Sequence, residues 1–108
     1  MIAVLTRVPV PDGSVVDLFA KLGKSVTVAD VNAAVHAAAD TERLKGILQY
    51  TERPVVSSDI IGNSHSSIYD ASFSAVTGDR YVRVLNWYDN EWGYSCRVCD
   101  LLARLGSW

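Results

Sequence analysis

The sequence is poor in the residues from which many specialised proteins are built. Among 108 residues there are two cysteines, three prolines, one methionine and two histidines. Cys96 and Cys99 cannot make a disulfide framework, and their closeness in a helical pattern argues against mutual pairing, so a reducing compartment is the default. Zinc would need further ligands beyond these thiols, His36 and His65, and no metal site is expected. No Lys/Arg cluster stands out and the net charge is −2, which disfavours a nucleic-acid partner. No apolar run approaches the roughly 18 residues of a membrane span. The opening MIAVLTR has no basic residues ahead of its apolar run and makes a poor signal peptide. Repeats, low-complexity tracts and linkers are absent. The expectation is one soluble, cytoplasmic domain over residues 1–108, with apolar residues enough for a core.

What is present is alternation. Residues 1–6 are apolar and look like a strand or its approach. RVPVPDG (7–13) forces an extended path through its prolines. From Ser14, Val16, Leu18, Ala20 and Leu22 face one way against Val15, Asp17, Phe19 and Lys21, the pattern of a half-buried strand. Thr27 with Asp30 three residues on predicts a capped helix start. Val28, Val31, Val35 and Ala38 carry that helix to about Ala39, one apolar stripe laid on a sheet. ILQYT (47–51) and VVSSDII (55–61) are short strand candidates. A strand over 66–76, a hairpin loop at Thr77-Gly78-Asp79-Arg80 and a strand over 81–88 complete an antiparallel pair. Asp89 and Asn90 are both good N-cap types, and a last helix follows to Gly106. Its polar stripe is Arg97, Asp100 and Arg104. Apolar residues fill so much of the rest, Trp92, Cys96, Cys99 and Ala103 included, that burial on more than one side is expected. The predicted fold is α+β, β-α-β-β-β-β-α: a mainly antiparallel or mixed sheet with helices packed on one face.

The densest chemistry lies in NWYDNEWGYS (86–95), where four aromatic residues surround Asp89, Asn90 and Glu91. A strand end, a sharp turn and a helix start meet there. A helix N-terminus offers unpaired N–H groups, and a carboxamide can donate and accept at once. Such a corner suits a planar ligand carrying an amide. An ordinary cap surrounded by core aromatics fits the same residues.

WYDNEWGYS followed by Arg97 resembles the C-terminal signature of phosphorylating glyceraldehyde-3-phosphate dehydrogenases. RVPVPDGSVVDL resembles the family pattern RVPxPxxSVxDL, and LKGILQYTERPVVSSDIIGNSHSSIYDA resembles the segment that follows it. The likeness runs from about residue 7 to residue 105. It implies an enzyme in which a cysteine, assisted by a histidine, attacks an aldehyde, hydride passes to NAD, and inorganic phosphate releases the acyl group as an acyl phosphate. It implies that Asn90 binds the nicotinamide carboxamide, that Tyr94 lies beside the nicotinamide, and that Arg7 binds a phosphate group. A cytoplasmic homotetramer of glycolysis is the implied whole.

The family's Gly-rich nucleotide fingerprint and its nucleophilic cysteine motif have no counterpart in this chain. The chain is therefore expected to be the terminal part of a catalytic domain, without its nucleotide-binding domain and inactive alone. Catalytic residues are expected to be none. Cys96 and Cys99 are read as core packing, His65 as a turn or capping residue, and His36 as solvated. The choice between NAD and NADP, and between glyceraldehyde 3-phosphate and the related erythrose 4-phosphate, lies in residues outside this chain. The alternative function is a non-catalytic module that self-associates or binds a partner through an orphaned sheet face carrying Phe19, Tyr69 or Phe73.

Overall fold

The computed structural model describes residues 1–6 and 8–108. Five strands and three helices follow one another as β1 (Ile2–Thr6), β2 (Ser14–Lys21), α1 (Val28–Ala39), β3 (Leu48–Thr51), α2 (Ser57–Ile60), β4 (Ser67–Thr77), β5 (Tyr81–Tyr88) and α3 (Asn90–Gly106). The strands form one sheet in the order β1-β2-β5-β4-β3. β3 and β4 run parallel, and the other neighbours are antiparallel. This is an α+β fold on a mixed sheet.

Residues 2–6, read as a strand or its approach, form a full edge strand, paired with β2 from Ile2↔Phe19 to Thr6↔Val15. Residues 55–61, expected as a strand, instead contain the helical turn α2. The reason is local chemistry. Asp59 reaches back to accept from the Val56 amide at 2.9 Å, while the Asp59 amide donates to the Val56 carbonyl at 2.9 Å. The Asp59 side chain binds the nearby backbone in this way and competes with ladder pairing. Ile60 is thereby turned into the core, 1% exposed.

The other elements follow their residues. Thr27 and Asp30 cap α1 reciprocally, side chain to backbone in both directions. That satisfies two otherwise orphaned donors. α1 packs over β3 and β4, where the Tyr69 hydroxyl donates to Asn32 Oδ1 at 2.8 Å. Gly78, at φ +69, turns the β4–β5 hairpin. β4 loses register with β5 between Asp70 and Ala75, and there Asp70 is wholly buried. Its carboxylate accepts from the Trp87 indole and the Ser72 amide, both at 3.1 Å, and from the Ser72 hydroxyl. A buried carboxylate without such donors would carry a large desolvation cost.

The core is Ile60, Ile68, Tyr69, Ala71, Val82 and Leu85. Tyr69 is thus an interior residue and no part of an exposed face, whereas Phe19 and Phe73 are exposed.

α3 reverses the expected burial. Gly93 is its sole buried residue, seated so close to the His65 carbonyl that a Cβ there would lie 3.2 Å from that oxygen. Of the polar stripe, Arg97 reaches the body of the domain, while Asp100 and Arg104 are exposed. Arg97 donates to the Ser64 carbonyl at 3.1 Å and to the Ser66 hydroxyl at 3.0 Å, and holds Asp100 at 2.8 Å. Trp92, Val98, Leu101, Leu102 and Leu105 are exposed. Cys99 is exposed and Cys96 half-buried, so neither forms part of the core. Spacing shows which residues share a helix face; it does not show which face meets the domain.

Candidate functional site

The sheet order brings two distant segments to one corner. β2 begins where β5 ends, Ser14 opposite Tyr88, so the loop before β2 lies against the start of α3. Gly13, at φ +91, lets that loop pass close to α2, where a Cβ would lie 3.2 Å from the Ser57 carbonyl. A side chain is strained in that region of backbone space.

Two adjacent residues divide the work at the corner. Asp89 is the N-cap: it is 2% exposed, and its carboxylate accepts from the amides of Trp92 and Gly62, both at 2.9 Å. Asn90 is the first helical residue and is exposed. Its carboxamide is not spent on the cap. Oδ1 accepts from the Ser14 hydroxyl at 2.7 Å, which leaves the amide N–H groups without a partner among the described residues. A hollow of about 30 Å³ separates Val8, Pro11 and Asp12 from Asn90 and Glu91. It has room for about one water. That hollow is too small to enclose a ring.

Electrostatics at the corner are acidic. Carboxylate oxygens of Asp12, Asp89 and Glu91 lie within 4.8 Å of one another. The hydrogen bond with Asp89, followed by burial, pushes the Asp12 carboxyl above its ordinary value, and Glu91 adds to this. Burial alone would also raise Asp89, but the amides of Gly62 and Trp92 and the Asp12 carboxyl outweigh it and hold Asp89 below the usual range. Asp12 is therefore the partner that takes the proton. This trio was not anticipated from the sequence, because Asp12 is 77 positions before Asp89 and only the β2–β5 pairing joins them.

Tyr94 lies one turn beyond Asn90 on α3 and is 73% exposed. Trp92 is also exposed; Trp87 and Tyr88 are half-buried behind the corner. Arg7 lies outside the described residues. His65 is a turn residue: its amide donates to Asn63 Oδ1 at 2.9 Å, and burial followed by the Arg97 charge lowers its pKa. His36 is exposed, edge-on to Tyr50.

Residues 1–90 match the family model for the C-terminal domain of glyceraldehyde 3-phosphate dehydrogenase. The chain belongs to this family. A glyceraldehyde-3-phosphate dehydrogenase of Mycolicibacterium smegmatis is 56% identical over 100 residues, 93% of this chain and 29% of that relative. One from Borreliella burgdorferi is 54% identical, over 92% of the chain and 30% of the relative. A cytosolic one from Pinus sylvestris is 52% identical, over 94% and 29%. The chain thus spans less than a third of the length of these dehydrogenases. Among the described residues, no helix is long and apolar enough to cross a membrane.

Proposed function

We propose that this chain is the C-terminal part of the catalytic domain of a phosphorylating glyceraldehyde-3-phosphate dehydrogenase, and that its corner supplies one wall of the coenzyme site. The observation that carries this is the exposed Asn90 carboxamide, released from capping by Asp89 and oriented by Ser14. With Oδ1 taken, its N–H groups are available to the carbonyl of a nicotinamide carboxamide. Asn90 would hold that group and so fix which ring face meets the substrate, with Tyr94 alongside. When bound, the nicotinamide accepts the hydride. The oxidised ring is cationic, and the acidic trio suits it better than it would suit a pyrophosphate. Arg7 is assigned the phosphate of substrate or of inorganic phosphate, which its planar, permanently charged fork would fit.

The remaining parts belong to the longer relatives: a nucleotide-binding domain, the nucleophilic cysteine and its histidine. The outward apolar face of α3 supports this reading, because exposed apolar surface of this extent marks a place where other protein packs. The proposed whole is a cytoplasmic homotetramer of glycolysis using NAD.

The test begins with the coding sequence upstream of Met1. An in-frame Gly-rich strand-to-helix turn followed by a nucleophilic cysteine is expected; an upstream sequence with neither would sink the reading. In the protein carrying those parts, Asn90→Ala should lower kcat/KM for the coenzyme by about 10- to 100-fold, the loss of one or two hydrogen bonds to the bound group. Its urea midpoint should stay at the wild-type value. The 108-residue chain alone should oxidise no aldehyde.

A second reading has its own observation. Phe19 and Phe73 on the sheet, and Leu101, Leu102 and Leu105 on α3, are all exposed. A chain with this surface is expected to self-associate when nothing else covers it.

A further inference from the structure

His65 has no part in the corner, yet it sits where α3 meets the domain. Gly93 lies against its carbonyl, with a Cβ position 3.2 Å from that oxygen. Arg97 grips the same turn, donating to the Ser64 carbonyl at 3.1 Å and to the Ser66 hydroxyl at 3.0 Å. The residues on both sides of His65 thus anchor α3, and His65 itself is half-buried.

Hydrogen bonds fix the state of its ring. Asn63 Nδ2 donates to Gln49 Oε1 on β3 at 2.8 Å, so the other atom of that amide, Oδ1, is an acceptor. Oδ1 accepts from the His65 backbone amide at 2.9 Å and faces the ring Nδ1 at 2.8 Å. Nδ1 must therefore carry the hydrogen. A neutral ring in that tautomer leaves Nε2 bare, and Nε2 is the atom that takes a further proton.

The surroundings oppose that proton. Burial first, and the Arg97 charge second, lower the pKa of the ring. From α3 the charged groups are Arg97 and Asp100, and Asp100 is held by Arg97 at 2.8 Å. From β3 the neighbour is Gln49, which carries no charge. Asp89 binds the Gly62 amide just ahead of the turn. Among the described residues, no carboxylate makes an ion pair with His65. We propose that the 63–66 turn is an acid-sensitive latch: a proton taken at His65 Nε2 sets a second cation beside Arg97 and loosens α3 from the domain. The unfolded chain takes this proton near the ordinary 6.5, and the folded chain takes it only at lower pH. Docking of α3 is therefore complete above 6.5 and is lost as pH falls from there through the lowered value. Because α3 begins at Asn90, the loosened element is the one that carries the exposed carboxamide.

The test is amide hydrogen exchange on the 108-residue chain, expressed as protection so that the chemical exchange rate is removed. Protection of the α3 amides beyond the first turn should fall by about 10-fold between about pH 7.5 and about pH 5.5. His65→Asn keeps an N–H donor near the place of Nδ1 and cannot take the proton. It should match the wild type at the higher pH and lose most of the fall. An equal fall in His65→Asn would overturn the proposal. A second measurement needs no variant: the His65 ring signals in NMR should titrate with a midpoint below 6.5. A midpoint at or above that value would overturn the proposal as well. Arg97→Gln, which removes the neighbouring cation, should move the midpoint up; an unmoved midpoint would show that the two cations do not compete.

Discussion

At the scale of single residues, the corner depends on a division between neighbours. Asp89 binds two backbone amides in a buried place, and Asn90 beside it accepts from the Ser14 hydroxyl and takes no part in the cap. Asp89→Ala would remove the cap and leave the Gly62 amide without its partner. The expected loss is about 1–3 kcal/mol, read from urea unfolding. Asp12 has the opposite character. Its folded-state pKa lies above the ordinary 3.8, so the folded chain binds its proton more tightly than the unfolded chain does. The stability this gives is complete below the ordinary value and is lost as pH rises through the raised one. Asp12→Asn should therefore gain over wild type as pH rises from acid to neutral, seen as a growing difference between urea midpoints. A difference that shrinks towards neutral pH would contradict the shared-proton geometry.

At the scale of elements, the placement of α3 rests on close backbone approach and polar contacts. Gly93 lets the helix lie against the backbone of 65–66, and Arg97 ties it to residues 64 and 66. Alanine is the better helix former, yet at position 93 its Cβ would sit 3.2 Å from the His65 carbonyl. Gly93→Ala should cost about 1 kcal/mol or more despite its helix propensity, because the helix must move away from that carbonyl. Chemical unfolding checks the sign; a gain in stability would show that the approach has slack. The alternation of β2, β4 and β5 and the Thr27 cap of α1 were legible because period and capping are local properties. The turn α2 was misread, since two valines and two isoleucines around Ser-Ser-Asp look like a strand until Asp59 claims the Val56 amide.

At the scale of the whole molecule, the imbalance is outward apolar surface. Leu102 is 61% and Leu105 48% exposed on a helix that meets the domain through Gly93 and Arg97. Leu102→Glu combined with Leu105→Lys should shift the isolated chain towards monomer in sedimentation velocity, with helix content unchanged. Persistence of the wild-type assembly would place the association on the sheet, where Phe19 and Phe73 are exposed.

The sequence by itself determined the family and the α+β class, because both are written in short stretches whose spacing and side-chain types act locally. The same stretches marked Asn90 as a candidate without deciding whether it or Asp89 would cap the helix. Tertiary structure alone decided that, along with the meeting of Asp12 with Asp89, the burial of Tyr69 and the exposure of Cys99. The physical reason is common to all four. Burial and proximity are set by which surfaces the sheet order and helix docking bring together, and residues dozens of positions apart carry no local signal of the neighbours they will meet.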